Sequence, residues 1–133
     1  MKKIFFGVIA VISVFYGCDS GESMEVFIIN SSSEIVKVNF VSSGISELNK
    51  SLEIDSNQQE LYIEYQSGTS GVFLTFVDND SIYIQNASND VLKVFKEDTT
   101  GKNIYNVDEY WNVEETSKNH FVYTYEITEE DLE

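Results

Sequence analysis

Cys18 is the only cysteine and His120 the only histidine in this chain, so thiol chemistry and imidazole chemistry are each confined to one position. A Ser-His-Asp relay would have to run through His120, and a zinc centre would have a single imidazole. The residues around His120 read as a strand edge, which gives it a structural role. Asp78-x-Asp80 opens like a calcium loop, but Ile82 and Tyr83 stand where the EF-hand pattern needs an oxygen ligand and a glycine. A plain hairpin turn accounts for it better. The stretch 67–71 holds two glycines without Gly-Lys-Ser/Thr, and Lys102 lies outside any Walker spacing, so a phosphate cradle is rejected. Carboxylate pairs of the glycosidase kind are abundant by chance among 23 acids, and their separation of roughly 5 to 9.5 Å is spatial, so sequence spacing does not select one. The remaining group is Tyr105, Tyr110 and Trp111, set among Asn and Asp. Flat rings beside amides suit a sugar or protein face, or else cap the core of the domain. These three are the candidate ligand-binding residues; no catalytic residue, metal ligand set or cofactor is assigned.

Cys18 has its own context. Lys2 and Lys3 precede thirteen uncharged, mostly apolar residues, 4–16, and Gly17-Cys18 follows at once. That order is a secretory signal peptide. The run is too short for a spanning helix, which needs about twenty apolar residues to cross roughly 30 Å of hydrocarbon. Gly17-Cys18 resembles the lipobox of bacterial lipoproteins, with Phe15 and Tyr16 in place of the usual Leu and Ala or Ser; relaxed boxes of this kind occur among Bacteroidota lipoproteins. The resemblance implies cleavage after residue 17 and acylation of Cys18, by palmitate and similar chains. Several chains, at about 0.8 kcal/mol per buried methylene, make a lasting anchor where one would not. Residues 18–24 then form a short acidic spacer, and Asp19, Glu22 and Glu25 resemble surface-export signals in that group.

Charge excludes several partners. All eight basic residues are lysines and two lie in the leader, so the chain from Cys18 onward carries six lysines against 23 acids, a net −17. Such a polyanion repels nucleic-acid phosphate, whose binding is driven by Lys and Arg displacing counterions. Without arginine there is no bidentate fork for an anionic small molecule. With Cys18 acylated no thiol remains for a disulfide, and stability must come from packing.

From residue 25 onward the hydrophobic period is two, with β-branched and aromatic residues dominant. Strands are expected at 25–30, 34–42, within 45–54, at 59–66, 82–85, 91–95 and 119–128. Residues 72–77 (VFLTFV) are apolar on both faces and read as a central strand covered on both sides. The segment 103–113 is the least patterned. About eight short strands at roughly eight-to-twelve-residue spacing, without helices between them, predict one all-β domain over 25–133: an antiparallel sandwich of Ig-like or Greek-key type with seven to nine strands.

The mature layout resembles small Bacteroidota lipoproteins, through IINSSSEIVKV at 28–38 and the closing YTYEITEEDLE at 123–133. The resemblance implies a lipid-anchored outer-membrane protein with a β domain facing periplasm or cell surface, and it carries no catalytic residues over. The expected function is non-catalytic: a binding or interaction module of the envelope, held by membrane lipid through Cys18 and contacting a glycan or an envelope protein. The competing expectations are a carboxylate-dependent glycan hydrolase and a structural or assembly component without a small-molecule ligand.

Overall fold

A computed structural model describes residues 21–68 and 71–133; the leader 1–17, Cys18 and the first residues of the spacer lie outside the described residues. Eight strands form two four-stranded sheets packed as a β-sandwich. One sheet has the order β4-β1-β8-β7, from β4 (Gln58–Gln66), β1 (Ser23–Asn30), β8 (His120–Ile127) and β7 (Asn112–Ser117). The other has the order β3-β2-β5-β6, from β3 (Lys50–Ile54), β2 (Val36–Val41), β5 (Ser81–Asn86) and β6 (Val91–Phe95). Among the described residues the helical elements are the four-residue α1 (Val107–Tyr110) and two short 3₁₀ turns. None is long and apolar enough to cross a membrane.

Alternation in the sequence decides which side chains enter. Val26 and Ile28 of β1, Val36, Val38 and Phe40 of β2, Ile82 and Ile84 of β5, and Tyr125 and Ile127 of β8 are all buried, each set spaced by two as the pleat requires. A line of rings crosses the core. Phe40 stacks on Tyr62 with centroids 4.1 Å apart, Phe76 on Trp111 at 5.6 Å, and Trp111 leans on Tyr125 at 5.3 Å. The outer strands carry charge, with Glu60 and Glu64 on β4 and Glu114 and Glu115 on β7. Charge on an edge strand discourages pairing with a stray chain.

Three features depart from the sequence expectations. Pairing is not antiparallel throughout, since β1 runs parallel to β8, Ser23 opposite His120 and Asn30 opposite Ile127. In β4 the alternation of Leu61, Ile63 and Tyr65 against Tyr62 is broken by a bulge opposite Val26 and Phe27, and it is Tyr62 that is buried. The largest departure is 72–77, which joins neither sheet and is not a strand. Val72, Leu74 and Phe76 are buried, while Phe73 and Val77 are 71% and 67% exposed. The segment spans the two sheets between β4 and β5 and is covered on one side only.

Candidate functional site

The exposed side of 72–77 borders an apolar concavity. The groove, about 330 Å³, lies between this segment and β4 and is lined by Met24, Tyr62, Ile63, Tyr65, Leu74 and Asn79 among others. Its outer lips are Phe73 and Tyr65, the latter 49% exposed. At one end Asn79 is 7% exposed, and its Nδ2 has no hydrogen-bond partner. A buried amide donor without an acceptor costs free energy of about 1–3 kcal/mol.

The segment is held from behind. The Glu22 carboxylate accepts the amides of Gly71 and Val72, both at 2.9 Å. The Leu74 amide is directed at the Tyr123 hydroxyl. Burial raises the pKa of that hydroxyl, and the Leu74 bond works against the rise. Glu22 lies in the spacer just after Gly21, whose α-carbon passes so close to the Ser67 carbonyl that a β-carbon there would collide with it. Gly21 is therefore what lets the chain pass beside Ser67.

Of the predicted ligand residues, Trp111 belongs to the core. It is 7% exposed, its Nε1 donates to the Ile104 carbonyl at 2.8 Å, and its faces are taken by Phe76 and Tyr125. Tyr110 is half-buried, with its hydroxyl pKa raised first by a hydrogen bond to Glu109. Tyr105 is half-buried and donates to the Asn79 carbonyl at 3.0 Å. Burial, then the carboxylates of Asp80 and Glu97, push its pKa up to about 12, so it stays a neutral donor at any ordinary pH. The three are neighbours in sequence and core-packed in space, and they do not form an exposed stacking platform. Tyr105 instead props the turn that carries Asn79.

Sequence reasoning missed one constellation. Parallel pairing of β1 with β8 places Ser23 and Glu25 on either side of His120. Ser23 Oγ lies 2.7 Å from Nδ1 and Glu25 Oε2 lies 2.9 Å from Nε2. With the ring neutral, Nδ1 accepts from Ser23 and Nε2–H donates to Glu25, a serine–imidazole–carboxylate chain beside a polar pocket of about 400 Å³. Acyl transfer also needs amides free to receive an oxyanion. Here the Ser23 amide donates to Asn119 O, the Ser67 amide to Glu22 O, and those of Gly71 and Val72 to Glu22. The arrangement fastens the first strand of the domain to the last. Only the long-range register could have revealed it, because 95 residues separate Glu25 from His120.

The other polar motifs also resolve into fastenings. Asn30, fully buried, donates to Glu34 O and Ile54 O and accepts from the Ser32 amide and hydroxyl, which explains IINSSS as a clasp between the sheets. Asp131 closes a capping box on Thr128 and binds Lys93 and Lys102, which explains the acidic tail. Asp80 follows a tight turn and accepts from Ser43. It shares a concave patch with Glu97 and Asp98. Its pKa is lowered by that Ser43 contact, the reverse of what a glycosidase acid requires. No family model matches the sequence, and neither a curated protein nor a solved structure shows significant similarity to it.

Proposed function

We propose that the chain is a lipoprotein of the Bacteroidota type, anchored in the outer membrane through acylated Cys18, whose β-sandwich is a non-catalytic interaction module for another envelope protein. The tether follows from the basic, apolar and Gly17-Cys18 order of the leader and from the acidic spacer. The single observation that carries the binding role is the one-sided apolar segment: Phe73 and Tyr65 stand exposed as lips of an apolar groove. Large exposed apolar groups gathered at a concavity mark contact surfaces, whereas scattered ones need no explanation. A glycan partner is disfavoured because the Trp111 faces are occupied within the core. A hydrolytic role is disfavoured because Asp80 is committed to Ser43 and the Ser23 and Ser67 amides at the pocket beside His120 are already donated.

Two experiments test the halves separately. Cys18→Ser abolishes acylation and releases the protein from the membrane fraction; unchanged fractionation, with no acyl group on the wild type, removes the anchor. A photo-crosslinking amino acid at position 73, expressed in living cells, gives a discrete adduct with an envelope protein. Labelling no stronger than from the exposed position 130 removes the binding surface.

A further inference from the structure

The groove beside 72–77 has a feature that a generic apolar contact does not need. In an extended chain successive amides point to opposite sides in the plane of the strand. The Val72 amide is given to Glu22 at 2.9 Å. Burial alternates along 72–77 as in an extended chain, so the amides of Phe73 and Thr75 point away from the side on which Val72 meets Glu22, and both residues line the groove. Among the described residues neither has a hydrogen-bond partner, and neither does the carbonyl of Phe73 or of Thr75.

Resting on the binding role proposed above, we infer that the occupant is an extended segment of another protein, added as a strand along residues 73–75, with one apolar side chain in the groove. Two free donor–acceptor pairs, two residues apart, repeat at about 6.6 Å, the period of a strand, so a peptide backbone satisfies both at once. A compact apolar molecule fills the cavity without pairing them. The volume of about 330 Å³ accommodates a bulky side chain and adjoining backbone. A second copy of this chain is opposed by charge, since each carries −17 from Cys18 onward and Glu64 and Asp78 flank the site. The same charge favours a partner segment bearing Lys or Arg next to its apolar anchor.

The full chain in detergent is panned against phage-displayed random linear peptides, and the enriched sequences are measured by calorimetry and amide exchange. The expected consensus alternates apolar residues and carries Lys or Arg. Binding slows exchange of the Phe73 and Thr75 amides, and Thr75→Pro, which removes a donor the fold does not use, weakens it by ~10-fold or more. Peptides that lose binding with Phe73→Asp, yet leave both amides unprotected and are indifferent to Thr75→Pro, overturn strand addition and leave the contact surface standing. If no enriched peptide is sensitive to Phe73→Asp, the surface itself is overturned. Dimerisation of the wild type that Thr75→Pro abolishes replaces the foreign partner with a second copy.

Discussion

β1 and the segment 72–77 are written in nearly the same alphabet, EVFIIN against VFLTFV, and the fold uses them in opposite ways. β1 lies between β4 and β8, so both backbone edges are paired and both faces are at least half covered. The segment 72–77 pairs with neither sheet, buries three residues and exposes the three between them. What separates them is polar punctuation. Asn30 ends β1 with four hydrogen bonds that register it against Ser32, Glu34 and Ile54. Residues 72–77 are held by the Glu22 carboxylate, a side-chain partner that satisfies the Val72 amide without building a ladder. Apolarity decides that a stretch enters the core; fixed polar partners decide whether it joins a sheet.

The comparison is broken most directly at Phe76. This ring is 2% exposed and touches Phe40, Tyr62, Tyr105 and Trp111, so Phe76→Ala costs about 3–5 kcal/mol, in the range expected for Ile28→Ala in β1. Denaturant midpoints at unchanged m-value measure both. If Phe76→Ala costs under about 1 kcal/mol while Ile28→Ala costs several, the segment is a loosely laid cover and not part of the core.

Much of the sandwich was legible in the sequence, for a physical reason. Where one face is buried and the other solvated, as in β2, β5 and β8, period two is imposed by the pleat and survives in the residue order. Strand β7 was not legible: all six of its residues are exposed, so nothing apolar marks them, and only the ladder to β8 makes it a strand. The segment 72–77 failed in the other direction, because apolar residues on both sides resemble a covered strand when the outer cover is missing. Of the candidate site, Tyr105, Tyr110 and Trp111 were found as a cluster, but their burial depends on Phe76 and Tyr125, remote in sequence. The Ser23–His120–Glu25 chain depends on a parallel register that no local pattern encodes, and the groove on a segment that pairs with neither sheet.

Asp131 gives the next largest effect and fixes a part of the molecule that 72–77 lacks, a clasp built on charge. Burial raises its pKa, but the Lys102 hydrogen bond, the Thr128 amide and Lys93 outweigh this and hold the carboxyl below the usual range. The lysines are 28% and 32% exposed, which discounts the pair, so Asp131→Asn destabilises by about 1–2 kcal/mol at neutral pH. A depressed folded pKa contributes stability that is fully present above the unfolded value of about 3.9 and is lost as pH falls through the folded one. The wild-type advantage over Asp131→Asn therefore persists down to about pH 5 and disappears on further acidification. An advantage independent of pH between 7 and 3 contradicts a charge-based clasp.

Glu22→Ala acts on the segment itself and leaves the centre of β1 alone. It removes the acceptor of two amides at a part-exposed site, worth about 1 kcal/mol in global stability. Exchange of the Gly71 and Val72 amides accelerates, while that of Val26 and Ile28 follows only the global change. Equal acceleration in both places shows that the segment opens with the whole sandwich and has no separate attachment to the spacer.

The smallest effect is the sharpest test of one-sided cover. Phe73 is 71% exposed, so Phe73→Ala removes a ring that the folded chain leaves in water, and stability changes by less than about 0.5 kcal/mol. Were 72–77 the doubly covered strand that its composition predicts, the same substitution would open a cavity and cost about 3–5 kcal/mol. Thermal unfolding separates these outcomes: a shift near zero means the ring is held out of the core, ready for a partner, whereas a large loss means that an outer layer already covers it in the isolated chain.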